Sequence, residues 1–195
     1  MRLKVPAETK VRTFGVMGSE PGTGVTHLSI LLANYLSVRR HKTILAEAGM
    51  RDTFYALAEQ YFENPKDSFF FQMHGVTYVS HTEAKQLAEL CNQDYTAVVV
   101  DFGTAYEDFY ESFLYMDTKI IVGNLSDWHR NSLIQFMQKV LPEKQWKYYT
   151  VFGGGKAEKR FEKEFHIKVE RIPYMPDPYC IKREQFDFFK KLSGE

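Results

Sequence analysis

The 195 residues predict an α/β protein built on a mostly parallel sheet of about seven strands, with helices on both faces in a three-layer sandwich. Short apolar runs alternate with helical patterns from one end of the chain to the other, and no linker or low-complexity tract interrupts them. The run Ala97–Asp101, AVVVD, is continuous and β-branched, as a central parallel strand buried on both faces requires. Glycine or polar turns follow several of the apolar runs, where such sheets place their ligands. One domain spanning 1–195 is therefore expected.

In order, strands are expected at Val11–Met17, Thr43–Ala46, Val76–Val79, Ala97–Phe102, Lys119–Val122, Tyr148–Phe152 and Lys168–Ile172. The first runs into a glycine turn that opens a helix, Thr26–Arg39, with Leu28, Leu31, Leu32, Tyr35 and Leu36 as its apolar face. Helices are expected next at Asp52–Phe62, Thr82–Leu90, Tyr106–Tyr115, Asp127–Val140 and Lys156–Glu164, and a last one near Arg183–Leu192. The strand ends gather Gly18–Thr26, Glu47–Asp52, Asp101–Thr104 and Asn124–Asp127 on one face.

Composition narrows the function classes. Twenty-five basic residues balance twenty-five acidic ones, which argues against a nucleic-acid-coating protein. Hydrophobic residues make up 44% of the chain, enough for a core. Cys91 and Cys180 stand apart, outside any CxxC or Cys/His spacing, and read as incidental thiols. The start MRLKVPAETK has no signal core, and no apolar run approaches the ~20 residues of a membrane span, so the expected location is cytoplasmic. His27, His41, His74, His81 and His166 show no i,i+4 pair and no HExxH spacing, and no metal site is expected.

The glycine turn has the outline of a phosphate-binding loop. In the pattern G-x-x-x-x-G-K-[ST], glycines let backbone N–H groups converge on phosphate, lysine reaches the outer phosphates, and the hydroxyl binds magnesium. Aligned on Gly24, the chain reads Ser19, Glu20, Pro21, Gly22, Thr23, Gly24, Val25, Thr26. The first glycine is serine and the lysine is valine, while Thr26 keeps the hydroxyl and opens a helix N-terminus.

On these residues the chain resembles the ParA/MinD-type P-loop ATPases, whose loop is written KGGxGKT. EPGTGVT occupies that frame, so Glu20 and Val25 stand at the two lysines and Pro21 at the first glycine. KTILAEAGMRD resembles the family's VLLIDxDPQGN segment, with Glu47 at its first aspartate and Gly49 at the one that positions water. VVVDFGTAYED resembles the Walker B strand, with Asp101 at the magnesium-holding position; the alternative for Asp101 is a strand-end carboxylate bound to local backbone N–H groups. Within the family, the EAG turn, IIVGNLSDW and RIPYMPDPY are similar to the TadZ/CpaE-like proteins of pilus assembly.

The resemblance implies a vestigial nucleotide site at Gly22, Thr23, Gly24, Val25, Thr26 and Asp101, with no catalytic residue retained. Losing two charge-assisted contacts at about 1.5–3 kcal/mol each lowers nucleotide affinity on the order of 10²- to 10⁴-fold. The expectation is therefore a pseudo-ATPase that binds or scaffolds protein partners in pilus or secretion machinery, as a homodimer or with a related ATPase. ATP and magnesium are expected weakly if at all. The alternative is a weak but genuine magnesium-dependent ATPase, its cation supplied by Lys156, Arg51 or a second subunit.

Other features have plain readings. Phe69, Phe70 and Phe71, beside Tyr61 and Phe62, are expected in a buried or edge segment, the alternative being an exposed docking patch. In NLSDWHRNS, where the family contacts a base or a partner, Ser126 is expected to cap a helix. The glycines Gly153–Gly155 before Lys156 are expected to form a turn. The stripe Phe186, Phe189 and Leu192 is expected to dock on the core rather than on lipid.

Overall fold

The computed structural model describes residues 11–62, 69–91, 93–140 and 142–195. MRLKVPAETK, in which no signal core is expected, lies outside them. Eight strands form one sheet: β1 (Arg12–Gly18), β2 (Thr43–Ala48), β3 (Phe70–Met73), β4 (Val76–Thr82), β5 (Ala97–Gly103), β6 (Thr118–Gly123), β7 (Lys147–Thr150) and β8 (Val169–Arg171). Seven helices accompany them: α1 (Val25–Val38), α2 (Thr53–Tyr61), α3 (Ala84–Leu90), α4 (Tyr106–Leu114), α5 (Arg130–Val140), α6 (Gly155–Phe165) and α7 (Phe186–Ser193). The α/β class and the parallel sheet follow the sequence reading.

The strand order is β3-β4-β2-β5-β1-β6-β7-β8, parallel throughout except at β3. Strand β5 pairs with β1 and β2 and is buried along its whole length, as a β-branched run between two layers of helices must be. One face carries α1, α2 and α7 over Phe14, Val16, Leu45 and Val99. The opposite face carries α3 to α6 over Met17, Ile44, Val98 and Val100. Alternate residues of β5 thus feed two separate cores, the period-two geometry of a strand.

The eighth strand is β3, which the sequence reading placed only as a buried or edge segment. It forms a hairpin with β4 through His74 and Gly75, both left-handed at φ 50 and 76, so Met73 pairs directly with Val76. Two consecutive positive φ angles make the primed two-residue turn that suits twisted strands. Phe71 is buried against Tyr78, with ring centroids 4.9 Å apart, while Phe69 and Phe70 are exposed on the edge. Thr82 ends β4 rather than opening α3.

The C-terminal segment docks on the core. Phe189 and Leu192 are fully buried in the α1 face, and the Phe189 ring stacks on Tyr35 at 5.3 Å. Phe188, off the stripe, turns its edge to Tyr149 at 5.5 Å. The Tyr35 hydroxyl donates to Glu195 Oε2 at 3.0 Å, and that carboxylate also takes Arg39 at 3.2 Å and His41 at 3.1 Å. Among the described residues no helix is long and apolar enough to cross a membrane.

Phe189→Ala is expected to cost about 3–5 kcal/mol, the price of an aromatic cavity in a packed core. Urea unfolding should show this as a lower midpoint, with Lys190→Ala, on the exposed side of α7, within about 0.5 kcal/mol of wild type.

Candidate functional site

The loop between β1 and α1 begins tied to the sheet, since the Ser19 amide donates to the Val122 carbonyl of β6 at 3.0 Å. Gly22 and Gly24 take the left-handed conformation at φ 81 and 82, and the Leu28 amide closes the first turn of α1 on the Gly24 carbonyl at 2.9 Å. The Thr23 hydroxyl donates back to the Glu20 carbonyl at 3.0 Å and is buried. Val25 is 6% exposed and belongs to the α1-side core. A lysine here would reach for an anion; the valine instead packs inward.

Gly22, Thr23, Gly24, Val25 and Thr26 line one cavity of 450 Å³ together with Arg51. Asp101 is not in its wall. It is fully buried at the end of β5, and its carboxylate reaches the wall only through Arg51. Lys156 lies on the first turn of α6 and does not line the cavity. Of the two cation sources within the chain, Lys156 and Arg51, Arg51 is the one this fold brings to the loop.

Arg51 follows β2 and reaches across to β5. Its Nη2 donates to the Asp101 carbonyl at 2.7 Å and sits 2.9 Å from Asp101 Oδ1 and 3.8 Å from Glu47 Oε1. Glu47 and Asp101 are register partners on adjacent strands, both with no solvent exposure. Asp101 Oδ1 also accepts the Gly103 amide at 2.8 Å, so the local backbone contact expected of a strand-end carboxylate is present. Glu47 Oε2 accepts the Phe54 amide at 3.2 Å. Burial pushes the Glu47 carboxyl above its ordinary 4.5, against the lowering effects of Thr53, Arg51 and the Phe54 amide.

Gly49 stands where a water-positioning carboxylate was sought. It is left-handed at φ 79, and a Cβ there would lie 3.3 Å from the Phe109 ring. The left-handed turn favours glycine, and a larger residue would press on the Phe109 ring. Glu20 lies with Oε1 2.8 Å from His129 Nδ1, close enough for an ion pair but not aligned as a hydrogen bond.

Ser126 is not the expected cap. Helix α5 starts at Arg130, the Ser126 hydroxyl has no hydrogen-bond partner, and the side chain of Asn124 accepts the Ser126 amide at 3.0 Å. That Asx turn takes the chain through another turn before the helix. It leaves Trp128 80% exposed beside Phe152, 62% exposed, at a second cavity of 430 Å³. Gly153–Gly155 lead into α6, with the Ala157 amide on the Gly154 carbonyl at 2.8 Å. Sequence reasoning did not find the exposed aromatics of this face, because apolar residues in loops carry no periodicity to mark which way they turn.

No family model matches the sequence, and neither does any curated protein. Among solved structures, the chain is similar to one from Borrelia burgdorferi described as a plasmid partition protein bound to AMPPNP, at 15% identity and TM-score 0.65, covering 94% of this chain and 98% of that one. It is similar to a ParA family ATPase of Chlorobium tepidum at 14% identity and TM-score 0.63, covering 85% and 86%. It is also similar to the septum site-determining protein MinD of Pyrococcus horikoshii complexed with Mg-ADP, at 12% identity and TM-score 0.65, covering 94% of each. At these identities the likeness establishes a shared fold, that of ParA/MinD P-loop ATPases.

Glu47 sets a pH dependence. Its folded pKa lies above the ordinary 4.5, so the folded state binds the extra proton, and stability falls as pH rises from 4.5 through the folded value. Glu47→Gln keeps the shape and removes the charge. Relative to wild type, its urea midpoint is expected to improve as pH rises through that window and to match wild type below it.

Proposed function

We propose that this chain is a P-loop-type protein without ATPase chemistry, which works by docking a protein partner on the face that bears the glycine loop. The observation that carries the reading is the character of that face. The residue at the loop lysine is buried Val25, Glu20 lies beside His129, and Arg51, which lines the cavity, is paired with Asp101. Around this closed centre, Met50, Trp128, Phe152 and Tyr174 stand 62–88% exposed on loops that follow β2, β6, β7 and β8. Large exposed apolar side chains on one face suit a protein interface better than a polyanion.

Magnesium, which the fold family implies, does not fit the residues present. Asp101 Oδ1 is held by a guanidinium and a backbone amide. The partner is a second copy of this chain or a related ATPase, and the process is the assembly of a pilus or secretion machine, on the strength of the TadZ/CpaE resemblance alone. Core docking of α7 removes the apolar stripe that a lipid anchor would use.

A second reading, a weak ATPase with Arg51 as its cation, is favoured by one observation: Arg51 lines the loop cavity and keeps 30% of its side chain exposed. Calorimetry and a phosphate-release assay separate the two. The docking reading expects no release above buffer and ATP binding weaker than millimolar; magnesium-dependent turnover abolished by Asp101→Ala would establish the enzyme instead.

A further inference from the structure

Glu47 and Asp101 end neighbouring strands in register, and neither is exposed to solvent. A carboxylate pair so placed must either share a proton or meet a cation, because an uncompensated buried carboxylate is among the costliest defects a fold can hold. Two kinds of cation are available to a protein, a metal ion drawn from solution and a side chain supplied by the chain itself. A metal ion would need carboxylate oxygens at about 2.0–2.6 Å. Here Arg51 Nη2 already lies 2.9 Å from Asp101 Oδ1 and donates to the carbonyl of the same residue at 2.7 Å, while Nε reaches the Ala48 carbonyl at 3.4 Å.

The fold makes room for this guanidinium. A Cβ on Gly103 would lie 2.6 Å from Arg51 Nη1 and 2.8 Å from Cζ, so the arginine lies flat against a position that only glycine leaves open. Two buried oxygens, Glu47 Oε1 and Asp101 Oδ2, have no hydrogen-bond partner. The pair therefore depends on the charge of Arg51 for its compensation, and not on a complete set of hydrogen bonds.

We propose that Arg51 is a resident counter-ion, which closes the Glu47–Asp101 pair permanently and frees the glycine-loop face from any dependence on divalent metal. The ends of β2 and β5 then keep one arrangement whatever the divalent-metal level. The face is constitutively formed, and this holds whether or not it docks a partner.

Thermal melts of the full chain test this with Mg²⁺ and Mn²⁺ as probes. Wild type is expected to melt at the same temperature in millimolar Mg²⁺, in Mn²⁺ and in chelator. Arg51→Met is expected to melt lower by about 10 °C, as an uncompensated buried charge implies for a chain of this size. The double variant Arg51→Met/Asp101→Asn is expected to recover part of that loss, because it removes the charge the arginine had matched. If the double variant is no more stable than Arg51→Met, the arginine contributes packing only and the proposal fails. It fails equally if either cation raises the wild-type melting temperature. Should Arg51→Met not fold, Arg51→Lys, which keeps the charge, is expected to fold and to remain insensitive to both cations; stabilisation of that variant by Mn²⁺ would overturn the proposal.

Discussion

Burial of a parallel sheet on both faces is the constraint from which the rest of this structure follows. Strand β5 exposes nothing, so its backbone must be paired on both sides and both of its faces must be covered by helices. Crossover helices return each chain to the same end of the sheet, and the loops after β1, β2, β5, β6 and β7 collect at the carboxyl ends as a consequence of topology. A face made of loops from five strands is a site by geometry before any residue on it is chosen. What it can do is then decided by charge.

On this face charge is resolved internally. Glu47 and Asp101 are answered by Arg51, while Glu20 and Asp52 each lie 2.8 Å from an imidazole nitrogen, of His129 and His81. The exposed pairs contribute little to stability, since solvent screens them. The buried set is different in kind, because removing one member would strand the others in low dielectric. The same set ties the ends of β2 and β5 together through one guanidinium.

Much of the fold was legible in the residues because burial leaves periodic marks. The run VVVD announced a central strand, and the spacing of Leu28, Leu31, Leu32, Tyr35 and Leu36 announced α1. The β3 hairpin was missed because its turn is His74–Gly75, where asparagine or aspartate is the usual first residue. The Ser126 cap failed because Asn124, two residues earlier, competes for the same backbone. Five of the six loop-site residues are consecutive and line one cavity. The sixth, Asp101, is joined to it by Arg51, whose reach across two strands is a tertiary fact with no local signature.

The substitutions at this face are consistent with one another, and that consistency is physical. With Val25 inside the core, no loop lysine is available to offset the carboxylates below. The cation at the pair comes instead from Arg51, on the turn after β2. Gly49 makes that turn left-handed and Gly103 leaves the space into which Arg51 extends. A carboxylate at Gly49 would add a third negative charge near the pair and strain the turn that places the arginine. Valine in the loop, glycine in the turn and arginine over β5 are thus three parts of one electrostatic solution, in which the chain itself supplies the positive charge that the sheet's buried carboxylates demand.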